Sequence, residues 1–467
     1  MQLVPASIFK AYDIRGIVDD TLTVEIVKHI GLALGSLAEE RGEHHICVGY
    51  DGRLSSPALA AALSEGIREA GIGVIHLGMV TTPMLYFATH YLAQTSSGVM
   101  ITGSHNPPQY NGLKMVIAGE TLSSDAIQAI KQRIIQQRFN QPDQSGSESH
   151  YDIQPAYQEA IVSDIQLARP MRVAIDCGNG VAGAYAPALF KALGCEVDPL
   201  FCEVDGRFPN HHPDPAEAKN LQDIMHCLRT GEAEIGLAFD GDGDRLGVVT
   251  KNGQIIRSDR QLMLFVEDVL TQQPGSHVVF DVKSTRHLSA YIREHGGKPV
   301  IWKTGHSLMK AKIRETGAAI GGELSGHLFF NDAKEGKPRW FGFDDGLYSA
   351  ARLLEIVSRS PNASAVLEAL PDSLNTPELQ IAMQEGEPHA LIAALQQSAQ
   401  FPDAIDVITI DGLRVEYADG FGLIRASNTT PVLTLRFEAD DTTALTRIQQ
   451  AFKQVLSNAR PDLKIPF

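Results

Sequence analysis

Three stretches of this 467-residue chain repeat one pattern, and that repeat constrains the fold more than any other feature. Each is an apolar run closing on aspartate, then a helical stretch, then a glycine and a second apolar run: Ile46 to Asp51, Val173 to Asp176 and Val278 to Asp281. From the closing aspartate to the glycine that ends the helix the distances are 20 residues (Asp51 to Gly71), 18 (Asp176 to Gly194) and 15 (Asp281 to Gly296), which suits a crossover helix between parallel strands. Each repeat therefore predicts one β-α-β unit. In the first, Ser55 or Ser56 is placed to cap the helix and Pro57 suits its first turn. The Ala/Leu/Ile spacing through Ile67 gives an apolar stripe, and Gly71 ends it.

A chain of this length exceeds one hydrophobic core and predicts three or four domains. Polar, flexible residues collect at Gln136 to Pro155, around Lys251-Asn252-Gly253, and from Leu370 to Pro377. These junctions divide the chain into residues 1–150, 151–254, 255–370 and 371–467. The last part differs from the rest. Strand-like runs near Val407 to Ile410, Arg414 to Tyr417, Phe421 to Ala426 and Val432 to Glu438 precede a helix from about Thr442. The expected fold class is α/β: three topologically similar α/β domains followed by a smaller α+β domain.

The formal charge of −16, with no basic tract to offset it, argues against nucleic acid or an anionic membrane as partner. Any anionic ligand must meet local cations. The five cysteines follow no zinc or disulfide spacing, which suits packing roles in a reducing compartment. The start, Met1-Gln2-Leu3-Val4-Pro5, lacks the features of a secretory signal, and no run of 18 apolar residues spans a bilayer, so the expected location is the cytoplasm. From Ala70 through Leu113 there is no Asp, Glu, Lys or Arg. That stretch should be mostly buried and end at something functional.

Two motifs carry chemistry. Asp240-Gly241-Asp242-Gly243-Asp244-Arg245 follows the apolar run Ile235 to Phe239 and sets three carboxylates on glycine-flexed backbone, where their oxygens can converge on one hard divalent cation, with Mg²⁺ the natural guest. An EF-hand fails on spacing, because Arg245 and Lys251 stand where that loop wants Gly and Glu. The uncharged stretch ends in Thr102-Gly103-Ser104-His105-Asn106-Pro107-Pro108, with Lys114 close behind. Ser104 is the nucleophile candidate, against the ordinary role of a turn serine.

These two motifs, with Lys10-Ala11-Tyr12-Asp13-Ile14-Arg15-Gly16, Gly322-Glu323-Leu324-Ser325-Gly326-His327 and Arg425-Ala426-Ser427-Asn428-Thr429-Thr430-Pro431, resemble the α-D-phosphohexomutases in order and spacing along essentially the whole chain. The last loop is similar to the phosphomannomutase/phosphoglucomutase branch; phosphoglucosamine mutases typically carry Ser-Gly-Thr-Glu-Pro there, so a hexose is implied over an aminosugar. The resemblance implies four domains around one cleft, Ser104 carried as phosphoserine, and Mg²⁺ between its phosphate and Asp240, Asp242 and Asp244. It further implies reversible exchange between hexose 1-phosphate and hexose 6-phosphate through a hexose 1,6-bisphosphate, with glucose 1,6-bisphosphate as activator. The working unit is expected to be a monomer acting on small-molecule hexose phosphates.

Physical chemistry assigns the remaining parts. A phosphoserine brings roughly −1.5 to −2 charge, so beside three carboxylates and one divalent cation the centre stays negative, and Arg15, Arg245 and Lys114 are assigned to charge compensation. Two transfers with a reorientation between them need a distal clamp that accepts either end, and Arg425, Ser427, Asn428 and Thr429 offer a fork with hydroxyl and amide donors. Tyr12, Lys283 and the stretch Thr304-Gly305-His306 resemble the family's auxiliaries. Glu323 and Ser325 are placed to read adjacent sugar hydroxyls. Lys114 and His327 are the candidates for general acid and base, with His105 and His306 as substitutes. For Lys114, Arg15 and Arg245 would lower the pKa while the carboxylates would raise it, and the sequence leaves that contest open. The final domain is expected to close as a lid that keeps water from the reaction.

One rival rests on Gly178-Asn179-Gly180-Val181-Ala182-Gly183, which follows a strand, opens a helix and has Asp198 twenty residues beyond the first glycine. That fits a dinucleotide fingerprint and would make the protein an oxidoreductase. The sister repeats make the same turn with Asp51-Gly52-Arg53 and Asp281-Val282-Lys283, and the reading leaves Ser104, the three aspartates and Arg425 unused. A non-catalytic sugar-phosphate sensor and a metal-dependent phosphatase are the other rivals.

Overall fold

The three repeats share one strand topology, larger than the β-α-β unit expected. The structure, a computed structural model, describes residues 4–467, so Met1–Leu3 of the N-terminal stretch discussed above lie outside it. In every repeat the strand closing on aspartate (His45–Tyr50, Arg172–Asp176, His277–Asp281) pairs in parallel on one side with the strand after the crossover helix: Gly73–Met79, Glu196–Leu200 and Lys298–Trp302. On its other side it pairs in parallel with a third strand: Gly98–Ile101, Ile235–Phe239 and Ile320–Gly322. That third strand turns back into an antiparallel fourth: Tyr110–Ile117, Leu246–Thr250 and Leu328–Phe330.

The first three strands of each repeat are joined by helices: Ser56–Glu69 and Thr82–Tyr91, Ala186–Ala192 and Gln222–Thr230, His287–Glu294 and His306–Thr316. Strands such as Ile235–Phe239 and Leu246–Thr250 are buried along their whole length, as sheets covered on both faces require. The three hairpin loops between third and fourth strands span residues 102–109, 240–245 and 323–327. They hold Ser104, the aspartate triplet, and Glu323 through His327.

Some local expectations change. Ser55 stands at the N-cap of helix Ser56–Glu69 without a capping bond, and Ser56 Oγ donates instead to Asp51 Oδ1 at 2.6 Å. The polar stretch after Gln136, expected as a linker, supplies the strand Glu148–His150, parallel to Gly73–Met79. All three of its residues are exposed, so main-chain bonding makes this edge strand and no hydrophobic period could reveal it. A strand Ile14–Ile17 also joins the first sheet, antiparallel to Tyr110–Ile117.

The charge-free stretch is buried as expected. Its helix Thr82–Tyr91 is covered from Thr82 to Thr89 and stacks Phe87 on Trp340 with centroids 5.7 Å apart. One continuous apolar core runs from Cys47 to Leu370 and unites the three repeats.

The C-terminal domain has its own core and a six-stranded sheet, in which the expected strands appear as Asp406–Ile408, Leu413–Tyr417, Gly420–Ala426 and Val432–Ala439. Short strands Leu374–Asn375 and Leu379–Ala382 and helix Glu387–Ser398 complete it, none of them expected. It meets the third repeat where Phe421 and Leu423 pack on Val282, and where Arg414 Nη1 donates to the carbonyls of Val282 (2.7 Å) and Ser284 (2.6 Å). Among the described residues no helix is long and apolar enough to cross a membrane.

Candidate active site

Ser104 sits at φ +50°, a left-handed conformation that costs a β-carbon residue energy, and something must hold it there. Arg53 does. Its fully buried guanidinium donates to three carbonyls of the loop, Ser104 (2.8 Å), Asn106 (2.6 Å) and Pro107 (2.7 Å), and to that of Tyr110 (3.0 Å) where the next strand begins. Asp51, the closing residue of the first repeat, fixes Arg53 Nε at 3.2 Å and also accepts Thr102 Oγ1 (2.8 Å) and Gly103 N (3.2 Å). The aspartates at the ends of the sister strands do related work. Asp176 accepts Gly178 N at 2.9 Å, and Asp281 accepts Ser284 Oγ at 2.7 Å, Thr304 Oγ1 at 3.1 Å and Leu324 N at 3.2 Å. The repeat's signature residue is thus an acceptor that braces active-site loops. Arg53 was not singled out in the sequence, because a lone arginine after Asp-Gly looks like a surface cation.

Ser104 Oγ lies 3.0 Å from Asp240 Oδ2 and 3.2 Å from His105 Nδ1. The two loops touch along their backbones: a Cβ at Gly241 would fall 2.3 Å from the Ser104 carbonyl oxygen, so only glycine allows the approach. Asp240, Asp242 and Asp244 are fully buried, and an oxygen from each lies within 4.8 Å of the others. Asp242 Oδ1 and Asp244 Oδ1 have no hydrogen-bond partner, while the second oxygens of both face Lys114 Nζ, 2.7 Å from Asp242 Oδ2 and in contact with Asp244 Oδ2. Orphaned, buried, hard oxygen donors converging on one point fit a divalent cation. Burial and repulsion from Asp242 and Asp244 push Asp240 well above the usual carboxylate range, the strain that a bound cation relieves.

At Lys114 burial works against the charge, but the carboxylates of Asp242, Asp244 and Asp344 outweigh burial and raise its pKa above the ordinary lysine value. His105 is the reverse case: burial, then Arg245 and Arg15, push it well below the ordinary histidine value. Burial and Lys310 do the same to His306.

Arg245 Nε donates to His327 Nε2 at 3.1 Å; since an arginine can only donate, the imidazole proton resides on Nδ1, which lies 3.0 Å from Asp344 Oδ2 and 3.6 Å from Asp244 Oδ1. Asp344, fully buried, also receives Lys310 Nζ at 2.9 Å. Neither Asp344 nor Lys310 stood out in the sequence. Arg15 is held by Asp13 (2.5 Å) and Asn106 Oδ1 (3.2 Å), which places it over the Ser104 loop.

On the other side of the cleft, Glu323 Oε1 accepts Gly305 N (2.5 Å) and Oε2 accepts Ser325 Oγ (3.0 Å), so the two predicted hydroxyl readers are bonded to each other and to the Thr304–His306 stretch. Tyr12 meets His306 edge to ring with centroids 6.0 Å apart, joining the first and third domains. Ser427 Oγ lies 3.3 Å from Thr429 Oγ1. Arg425 pairs with Asp411 through Nε at 3.1 Å, and Lys283 Nζ lies 3.1 Å from Glu378 Oε1. Of the expected residues, Ser104, the aspartate triplet and Glu323 through His327 lie on hairpin loops, while Arg15, Lys114 and Arg425 lie in strands and His306 opens a helix.

The glycine-rich turn of the second repeat is filled by protein. A Cβ on Gly180 would lie 2.9 Å from Gly241 Cα, and Val181 N donates to Gly241 O at 3.1 Å. Asp198 is taken up by Arg172 at 2.9 Å. These glycines seat the aspartate loop, which leaves the dinucleotide reading without a site.

Four family models match in succession: Phosphoglucomutase/phosphomannomutase alpha/beta/alpha domain I over residues 6–141, domain II over 155–253, domain III over 257–374, and the C-terminal domain over 378–455. A phosphoglucomutase from Neisseria gonorrhoeae is 56% identical, covering 98% of both chains. A phosphomannomutase/phosphoglucomutase from Pseudomonas aeruginosa is 53% identical over 99% of this chain and 98% of that one. The crystal structure of a phosphoglucomutase/phosphomannomutase family protein from Burkholderia thailandensis superposes with a TM-score of 0.94 at 53% identity, covering 99% of this chain and 100% of that one.

Proposed function

The chain belongs to the phosphoglucomutase/phosphomannomutase family and interconverts hexose phosphates, and we propose that it does so with glucose and mannose 1- and 6-phosphates, using Ser104 as the carrier of the phosphoryl group. The observation that carries this is the 3.0 Å approach of Ser104 Oγ to Asp240 in a buried pocket that also gathers Lys114 and Arg245.

In the first transfer the bond between phosphorus and Ser104 Oγ breaks and a bond to the free sugar hydroxyl forms, the hydroxyl proton passing to a base and Ser104 Oγ taking up a proton as it leaves. The bisphosphate then turns end for end, and the reverse transfer restores phosphoserine and releases the isomer. Asp240, Asp242 and Asp244, with a phosphoryl oxygen on Ser104, would hold Mg²⁺, which when bound supplies neutralisation of the phosphoryl charge. Lys114, kept charged by its carboxylates, compensates negative charge rather than abstracting a proton. His327 serves as the proton-transfer group: its Nδ1 lies 3.0 Å from Asp344 Oδ2 and 3.6 Å from Asp244 Oδ1, and its Nε2, which accepts from Arg245, becomes free when Arg245 turns to a phosphoryl oxygen. Arg15 orients the phosphoryl group from the Asn106 side, and His105, held neutral beside Ser104 Oγ, assists it.

Glu323 and Ser325 read the 3- and 4-hydroxyls, which glucose and mannose share. Arg425, Ser427, Asn428, Thr429, Tyr12 and Lys283 take the distal phosphate, and Thr304, Gly305 and His306 line the wall between. The Ser427-Asn428-Thr429-Thr430-Pro431 sequence favours a hexose over an aminosugar. A single chain supplies every group of the site, in keeping with a monomer, and five free cysteines suit the cytoplasm. Incubation with glucose 1-phosphate, Mg²⁺ and catalytic glucose 1,6-bisphosphate tests the reading. Glucose 6-phosphate is the expected product; free phosphate would mean a phosphatase and no turnover a sensor.

A further inference from the structure

Two cations of the distal clamp are each held by a carboxylate, and the two carboxylates differ. Glu378, partner of Lys283, keeps 38% of its side chain exposed and can return to water when phosphate displaces it. Asp411 keeps 13%, and its Oδ2 is used twice: Arg425 Nε reaches it at 3.1 Å and the Thr304 backbone N–H at 3.0 Å. The turn that carries Asp411 is built for this. Gly412 has φ +91°, and a Cβ there would lie 2.3 Å from Ile424 O and 2.7 Å from Arg425 Cβ, so only glycine lets the turn lie flat on the strand of Arg425. Gln396 Nε2 ties the same turn down through the carbonyls of Thr409 (3.0 Å) and Gly412 (2.9 Å).

We propose that Asp411 is a positioning residue that couples the distal phosphate clamp to the loop that reads sugar hydroxyls. One carboxylate fixes one edge of the Arg425 guanidinium, leaving its remaining N–H groups for phosphate, and at the same time anchors the backbone of Thr304. The next residue, Gly305, donates to Glu323, so the chain of contacts runs from Arg425 through Asp411, Thr304 and Gly305 to Glu323 and Ser325. Without Asp411 the arginine is free to leave the clamp, and the third and fourth domains lose the contact that ties the Arg425 side chain directly to the Thr304 backbone. Binding of a hexose phosphate, which spans both, weakens; the transfer step at Ser104 does not depend on Asp411 directly. The inference rests on the mutase reading above.

The test uses the full chain with Asp411→Ala and Asp411→Asn. In steady-state assays with glucose 1-phosphate and catalytic glucose 1,6-bisphosphate, the Ala variant should raise KM at least about tenfold with kcat changed far less, as expected for loss of a charge-assisted contact. The Asn variant keeps an acceptor for Thr304 N but not the charge toward Arg425, and should fall between. The weaker clamp should also release more glucose 1,6-bisphosphate per turnover. Equilibrium binding of glucose 1-phosphate to the Ser104→Ala protein, with and without Asp411→Ala, reads the same effect without catalysis and should show a Kd raised by a similar factor. Should Asp411→Ala fail to fold, the Asn variant carries both measurements. Variants with KM and Kd within twofold of the parent, or with the loss confined to kcat, would overturn the assignment. A parent enzyme that does not convert glucose 1-phosphate would instead sink the mutase reading itself.

Discussion

Ser104 Oγ and Asp240 Oδ2 lie 3.0 Å apart although 136 residues separate them in the chain. The approach depends on Gly241 passing under the Ser104 carbonyl and on Arg53 gathering the serine loop from behind. It joins the hairpin loops of the first and second repeats, and it puts a hydroxyl at the mouth of a cluster of buried carboxylates.

Replacing Ser104 by glycine separates chemistry from strain. The serine occupies φ +50°, which glycine adopts freely, so Ser104→Gly should leave stability equal to the parent or raise it by up to about 1 kcal/mol, while Ser104→Ala keeps the strain. Both should lose at least about a thousandfold in kcat, because the phosphoryl carrier is gone. Chemical denaturation alongside the coupled assay checks both halves; a Ser104→Gly enzyme with near-parent turnover contradicts the assignment.

Arg53→Ala should be among the most damaging single changes outside the reacting groups. It leaves Asp51 buried without its cation and strips four carbonyls of their donor. A loss of about 3–5 kcal/mol in unfolding free energy follows. Arg53→Lys should recover little, since one ammonium cannot span the same carbonyls. Full activity in the lysine variant would show that the loop holds its shape without the fork.

Glu323→Ala should depress activity on glucose and mannose phosphates in similar proportion, roughly ten- to a hundredfold for a lost hydrogen bond to a charged acceptor. The carboxylate also ties down Gly305 and Ser325, so part of the loss is loop order. Parallel kinetics on the two sugars decide it; a defect confined to one sugar refutes shared recognition.

The strands closing on Asp51, Asp176 and Asp281 were legible in the sequence because apolar runs and spaced glycines are local signals. Ser104, the aspartate triplet and Glu323 were legible because glycine-bracketed polar residues are conspicuous. Arg53, Asp344, Lys310 and Asp411 were not, since each acquires meaning only from a partner brought close by tertiary structure. Helix Glu387–Ser398 was missed, and the strand Glu148–His150, exposed along its length, offered no alternation to detect.

Asp345 supplies a pH dependence away from the serine loop. Burial pushes its carboxyl up to about 7, despite hydrogen bonds from Tyr348 N (3.0 Å) and Tyr157 Oη (2.9 Å). The folded chain thus holds this proton more tightly than the unfolded chain does. Its stabilising contribution is fully present below about pH 4 and is lost as pH rises through about 7. Asp345→Asn removes that titration, so the stability of the parent relative to the variant should fall by a few kcal/mol between those limits. Denaturation midpoints that run parallel for both proteins from pH 4 to 7.5 would contradict it.

The most direct test of the whole account is the intact mass of the protein before and after exposure to glucose 1,6-bisphosphate. A gain of one phosphoryl group in dephosphorylated parent protein, lost again on adding glucose 1-phosphate and absent in Ser104→Ala, is the predicted result. An unchanged parent mass, or a phosphoryl group that persists in Ser104→Ala, would contradict it.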